Sequence, residues 1–190
     1  MNETEVKYKV DSSLFGKYKE IFSHYDFTKH TEVNYLYSGN NLEKGQVLRV
    51  REQIDFEDRD KKSYLITVKG QATMLPDGYK TRKETEVLVD KNPRELFEDL
   101  GYILNLRYAK IRQEIKLPVL YFNDEHEAYT QDLLVCLDEL PFGTYIELET
   151  SADRIPNLHF FRGLEVEPKS YPDLTIENGQ LVDNIWEALF

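Results

Sequence analysis

Glu3-Thr4-Glu5-Val6-Lys7-Tyr8-Lys9-Val10 opens the chain with a strict two-residue alternation. Successive side chains of a strand point to opposite faces. Read as a strand, the stretch sets Glu3, Glu5, Lys7 and Lys9 on one face and Thr4, Val6, Tyr8 and Val10 on the other. A lone strand of this kind is ordinarily half-exposed, with its charged face in water. Here the pattern returns along the chain. Residues 47–54 set Arg49 and Arg51 against Leu48 and Val50, and residues 63–69 set Thr67 and Lys69 against Ile66 and Val68. Residues 79–89 carry Arg82, Glu84 and Glu86 opposite Val87 and Val89. Residues 102–117 carry Tyr108, Lys110, Arg112, Glu114 and Lys116 opposite Ala109, Ile111, Ile115 and Leu117. Residues 144–150 carry Tyr145, Glu147 and Glu149 opposite Ile146 and Leu148.

Two further strands, over residues 31–38 (Val33, Tyr35 and Tyr37 in phase) and 132–139, complete the set. Between them lie segments with helical signals. Asp11-Ser12-Ser13 starts a helix with the stripe Leu14, Tyr18, Ile21 and Phe22. Asn92-Pro93-Arg94-Glu95 reads as an N-cap, a proline at the first helical position and a capping box, with Leu96, Phe97 and Leu100 as the apolar side and Gly101 as the stop. Residues 151–163 read as a helix disturbed by Pro156, and Ser170-Tyr171-Pro172-Asp173 as another cap. Leu181, Ile185, Trp186 and Leu189 suggest a last amphipathic helix over 180–190, its stripe suited to the core or to a homodimer face. Residues 118–131 form a polar, acidic connection in which Asp124, Glu125, His126 and Glu127 are expected to be solvated. His24 and His30 read as surface or capping histidines without a ligand partner.

The apolar stripes of the helices need a surface to cover. If they cover the aliphatic strand faces from outside, the charged faces point inward. About eight strands then suit a closed sheet whose interior is just wide enough for side chains or one small ligand. The fold class expected is α+β, a closed eight-stranded antiparallel barrel with helices outside. Enclosed charges are costly unless paired or bound to ions. Carboxylates supply oxygen ligands for Mg²⁺ or Mn²⁺, and Arg and Lys supply contacts to phosphate oxygens. A metal-bound polyphosphate satisfies both sets; the plainer alternative is that acids and bases pair with each other across an ordinary sheet.

The remaining numbers narrow the setting. The length of 190 residues fits one domain over 1–190. A formal net charge of −11 argues against a nonspecific nucleic-acid coat or an anionic membrane surface. No apolar run reaches spanning length, and the start lacks a signal-peptide core. The only cysteine is Cys136, so no internal disulfide forms, and a reducing cytoplasmic setting is expected, with Cys136 as a buried small hydrophobe.

These residues resemble the CYTH superfamily, the triphosphate tunnel metalloenzymes. The matching pattern is Glu3-x-Glu5-x-Lys7, Arg49-x-Arg51, Lys69-Gly70, Arg82-x-Glu84-x-Glu86, Gly101 ahead of Lys110-x-Arg112, Leu137-Asp138-Glu139, Glu147-x-Glu149 and Lys169-Ser170-Tyr171, over about residues 1–175. The resemblance implies a tunnel holding Mg²⁺ or Mn²⁺ and a small-molecule triphosphate. It implies that Glu3, Glu5, Glu147 and Glu149 bind metal, with Glu84, Glu86 and Asp138 ligating a second metal or orienting the bases. Lys7, Lys9, Arg49, Arg51, Lys69, Arg82, Lys110 and Arg112 would bind substrate, and Glu3, Glu5, Lys7 and Arg51 would form the catalytic centre. The activity implied is hydrolysis of tripolyphosphate or of a nucleoside or thiamine triphosphate. The alternatives are a class IV adenylyl cyclase, which forms cyclic AMP and pyrophosphate from ATP, and a module that binds triphosphate without turnover.

Overall fold

A computed structural model of the protein describes residues 2–75, 78–122, 127–156 and 158–190; the acidic stretch Asp124-Glu125-His126 lies outside the described residues. The alternating stretches form β1 (Asn2–Val10), β2 (Phe27–Ser38), β3 (Val47–Asp55), β4 (Lys62–Lys69), the two-residue β5 (Thr73–Met74), β6 (Lys80–Val89), β7 (Ile103–Phe122), β8 (Ala128–Leu140) and β9 (Gly143–Thr150). Hydrogen bonding runs β1-β9-β8-β7-β2-β3-β4-β6 and returns to β1, every pair antiparallel, so eight strands close into a barrel. Closure leaves these strands no free edge.

Register fixes which residues share the interior. Glu5 stands opposite Glu149, Lys7 opposite Glu147, Glu3 opposite Arg82, Lys69 opposite Glu84 and Arg112 opposite Asp138. The outward faces make two cores. Val6, Tyr8, Val10, Ile115, Val135, Leu137, Ile146 and Leu148 pack under α1 (Ser12–Phe22) and Phe161. Asp11 caps α1 by accepting from the Leu14 N–H at 2.8 Å. The buried side of α1 is Phe15, Tyr18 and Phe22, with Leu14 packed against the same core; of the expected stripe only Ile21 is exposed, and Phe15 is an addition to it. Phe161 stacks on Tyr8, Tyr18 and Phe22. Each such aromatic contributes about 1.5–3 kcal/mol by burial. On another side, Tyr35, Tyr37, Leu48 and Val50 pack with Phe97 of α2 (Arg94–Asp99) and with Tyr102. The Asn92 carboxamide accepts from the Arg94 N–H, but Pro93 occupies the cap position and no capping box forms.

Three expectations are corrected. Residues 118–131 are mostly not a connection: β7 and β8 continue as a ribbon pairing as far as Phe122 with Ala128. Pro118 is tolerated there because the β2 pairing ends at Ile115, so nothing on that side needs its missing N–H. Among the described residues of 151–163 the only helical turn is 3₁₀, η1 (His159–Phe161), consistent with a helix interrupted at Pro156. The last segment is not a helix. After α3 (Tyr171–Asn178) come β10 (Gln180–Val182) and β11 (Ile185–Ala188), joined by Asp183 and Asn184 at φ of 49° and 65°. That pair of left-handed residues is the two-residue hairpin turn. β11 then adds to β7 in parallel, Ala188 opposite Tyr108. The Ser170 cap is formed as expected, with a capping box to Asp173. Among the described residues, no helix is long and apolar enough to cross a membrane.

Candidate functional site

Inside the barrel lies a cavity of about 530 Å³. Its wall includes Glu3, Glu5, Lys7, Arg49, Arg51, Lys69, Arg82, Glu84, Glu86, Lys110, Arg112, Glu147 and Glu149. These come from six strands, β1, β3, β4, β6, β7 and β9, and they converge because each is an inward position of a period-two pattern. At one end the inward positions turn apolar. Leu36, Leu106, Tyr108, Leu140 and Tyr145 pack there with Tyr171 and Leu174 of α3 and Ala188 of β11.

Two residues expected at the site stand elsewhere. Lys9 is exposed and does not line the cavity, because at its level the barrel is filled by its cross-strand neighbour Tyr145. Asp138 is fully buried behind the wall. It accepts from Arg112 Nε at 2.7 Å and Nη2 at 2.6 Å, from Lys110 Nζ at 3.1 Å and from the Tyr171 hydroxyl at 2.7 Å. Three of these donors converge on Oδ2 and one on Oδ1, so in the barrel as it stands Asp138 is engaged in orienting Lys110, Arg112 and Tyr171.

Charges in the wall are partnered, with exceptions that matter. Arg112 also reaches Glu147 at 2.5 Å and Glu149 at 3.1 Å. Lys69 bridges Glu84 at 2.6 Å and Glu3 at 3.2 Å. Arg82 donates to both oxygens of Glu5, at 3.0 and 3.3 Å. Arg49 donates to Thr67 at 3.1 Å and lies 3.5 Å from Glu86. The Lys7 side chain, in a residue only 6 % exposed, forms no ion pair or hydrogen bond among the described residues; its Nζ rests 4.2 Å from the Tyr171 ring centroid. The Nε atoms of Arg49 and Arg82 are buried donors without an acceptor among the described residues. Burial pushes the Lys7 pKa down, with Glu147 opposing.

The carboxylates show the converse strain. Burial, with Glu147 and Glu3 nearby, pushes Glu149 up to about 8 despite Arg112. Glu147 is held far below the usual range: burial works against this, but Arg112, Lys110 and Lys7 outweigh it. Glu5 and Glu149 face each other directly across β1 and β9, an arrangement that destabilises like charges.

Sequence reasoning missed Glu32 and Asn34 as parts of the site, and read Tyr171 within the Lys169-Ser170-Tyr171 pattern without giving it a role there. Glu32 is fully buried, 3.1 Å from Arg51 and 3.4 Å from Lys110, and those two cations overcome its desolvation to hold it well below the carboxylate range. Asn34 accepts from Arg51 Nε at 3.0 Å. The signal was present: His30, Glu32 and Asn34 alternate with Val33, Tyr35 and Tyr37. His30 does have partners, being 3.0 Å from Glu32, and His30, Glu32 and Glu114 are the one group found among the described residues with three ligand atoms within 4.8 Å of one another. Glu32 there is already engaged by Arg51 and Lys110, which disfavours a cation. Cys136 is buried and free, as expected.

The family model of the CYTH domain matches residues 1–163. Among curated proteins, none matches the sequence. Similar solved structures include PH1819 of Pyrococcus horikoshii OT3, at 23% identity and TM-score 0.63, covering 92% of this chain and 98% of that one. A conserved hypothetical protein of Pyrococcus furiosus has 20% identity and TM-score 0.63, with 90% and 99% covered. A putative adenylyl cyclase from Hippeastrum, described as having a dominant triphosphatase activity, has 16% identity and TM-score 0.52, with 80% of each chain covered. At these identities the likeness is one of fold.

Proposed function

The chain belongs to the CYTH family, and from that premise we propose that it is a divalent-metal-dependent hydrolase of a triphosphate held in its barrel. The observation that carries this reading is Lys7: a lysine only 6 % exposed that lines the cavity and has no ion pair among the described residues. Burying a charge unpaired is expensive. The Nε atoms of Arg49 and Arg82, donors of the same cavity wall with no acceptor among the described residues, add to the case for an anionic ligand. Arg51, Lys69, Lys110 and Arg112 extend this cationic wall for a chain of phosphates.

The carboxylates fit a divalent metal. Glu3, Glu5, Glu147 and Glu149 are hard oxygen donors, and the lifted pKa of Glu149 together with the Glu5–Glu149 apposition marks surplus negative charge that a cation relieves. Mg²⁺ or Mn²⁺ would neutralise phosphate charge and make a bound water more acidic. Glu84 and Glu86 stand where they could serve a second ion or restrain Arg49 and Lys69. In this reading an entering triphosphate takes the bases from their present carboxylate partners. Arg82 would leave Glu5, Arg112 would leave Glu147 and Glu149, and those glutamates would be freed to hold the metal. Lys7 and Arg51 hold the phosphate from which the leaving group departs, and in-line attack by water completes hydrolysis.

The test is product analysis with Mg²⁺ or Mn²⁺. Orthophosphate from tripolyphosphate, ATP or thiamine triphosphate supports the hydrolase. Cyclic AMP and pyrophosphate from ATP, with tripolyphosphate left intact, overturns it in favour of a cyclase. Tight tripolyphosphate binding with no product overturns it in favour of a binding module.

A further inference from the structure

Tyr171 lies on α3, beyond residues 1–163 that the family model matches, yet its hydroxyl ends inside the barrel wall. The first turn of α3 is fixed by its capping box, and the Thr175 hydroxyl donates to the Tyr171 carbonyl at 2.8 Å. Leu174 and Thr175 are buried. β11, which follows α3, pairs with β7 so that Ala188 lies opposite Tyr108. The Tyr171 ring is flanked by Tyr145 and Tyr108, with centroids at 5.5 and 6.0 Å. The side chain is therefore rigidly placed from several directions.

It contacts two cations of the cavity, Lys7 and Lys110, and reaches a third, Arg112, through Asp138. Its hydroxyl donates to Asp138 Oδ2, the same oxygen that accepts from Lys110 and from Arg112 Nη2. Its ring face lies 4.2 Å from Lys7 Nζ and 5.1 Å from Lys110 Nζ. Cation–π contacts strengthen when the ammonium is desolvated, as both are here. Asp138 fixes where Lys110 and Arg112 stand, and the phenol fixes Asp138. For Lys7, which has no ion pair among the described residues, the ring supplies the contact that holds the ammonium toward the cavity.

We propose that Tyr171 is a positioning residue of the anion site, setting Lys110 and Arg112 through Asp138 and Lys7 through its ring. The terminal segment thus completes a site whose other parts come from the barrel. The inference rests on the cavity being a triphosphate site, and the experiment separates the two. Tripolyphosphate binding in the presence of Mn²⁺ is measured by calorimetry, and phosphate release by steady-state kinetics, on the full chain. Tyr171→Phe keeps the ring and removes only the hydroxyl. The expected result is a melting temperature near that of the wild type, Kd and KM for tripolyphosphate raised about tenfold, or about 1.4 kcal/mol, and kcat changed little. Tyr171→Leu, which removes the ring as well, should raise Kd further. Thr175→Val loosens α3 without facing the cavity; it should lower the melting temperature and leave Kd unchanged. Wild-type affinity in Tyr171→Phe overturns the inference alone. So does a loss that follows melting temperature equally in Tyr171→Phe and Thr175→Val, which is the mark of a purely structural role. If the wild type neither binds nor hydrolyses tripolyphosphate, the reading of the cavity falls and this inference with it.

Discussion

Lys7 and Glu149 are where function opposes stability. Lys7→Met keeps most of the volume and removes a charge that is largely buried and has no ion pair among the described residues. Its expected effect is a melting temperature equal to or above that of the wild type, with tripolyphosphate affinity weakened by roughly 1.5–3 kcal/mol, the scale of one charge-assisted contact. A lower melting temperature with unchanged affinity would mean that Lys7 is structural. Glu149 makes a second prediction through pH. Burial, with Glu147 and Glu3 nearby, pushes its pKa up to about 8 in the folded chain, against about 4.5 for an unperturbed glutamate. The metal-free folded state then keeps a proton that the unfolded chain releases. Stability is fully present below pH 4.5 and is lost as pH rises towards 8, by at most about 1.4 kcal/mol per pH unit. Glu147, displaced downward, contributes its own slope at more acidic pH. Thermal unfolding of the metal-free protein between pH 5 and 8 should show a falling melting temperature, and Glu149→Gln should flatten it. An equal slope in that variant would remove Glu149 as the cause.

At the level of elements, strands were legible and the chain's last turn was not. Period-two alternation needs only a few residues and is repeated, so β1, β3, β4, β6, β7 and β9 could be read with their faces correctly assigned. The inner face of β2 was overlooked because only its aromatic face was read, which hid Glu32 and Asn34. Leu181, Ile185, Trp186 and Leu189 imitate a helical stripe, but Asp183 and Asn184 adopt left-handed backbone and fold the segment into a hairpin. Gly179 also belongs to this geometry. A Cβ there would lie 2.3 Å from the Glu187 carbonyl oxygen and 2.5 Å from that of Thr175, so α3 and β11 can approach only past a glycine. Gly16, inside α1, has nothing within 4 Å of such a Cβ. Gly179→Ala should therefore lower the melting temperature by displacing β11, whereas Gly16→Ala should raise stability by up to about 1 kcal/mol through helix propensity. Chemical denaturation of the two variants checks both signs, and equal effects would show that the close backbone approach at Gly179 does not matter.

Across the whole molecule, acids and bases were each recognisable from sequence, but their pairing was not, because pairing depends on register around a closed sheet. The result is a barrel in which carboxylates and bases largely satisfy one another: Arg82 with Glu5, Lys69 with Glu3 and Glu84, Arg112 with Glu147 and Glu149. A triphosphate entering alone must take bases from carboxylates and leave those acids unpaired. A divalent cation entering alone leaves the bases unpaired in the same way. Each ligand relieves the charge that the other exposes, so the two should bind with positive coupling, and linkage requires the coupling to be reciprocal. With both ligands at about a hundred times their dissociation constants, stabilisation of at least about 2.7 kcal/mol is expected. For a chain of this size that is a rise of about 5–10 °C in melting temperature. The measurement is thermal unfolding with Mn²⁺ alone, tripolyphosphate alone, and both. Complexation of the metal by tripolyphosphate in solution is controlled by titrating each against the other at fixed free Mn²⁺. A combined shift well above the sum of the separate ones supports the exchange of partners, and Arg82→Met should reduce that excess by removing the base that occupies Glu5. Shifts that merely add would mean that the two sets of charges act independently, with the carboxylates already free to receive a metal before any phosphate arrives.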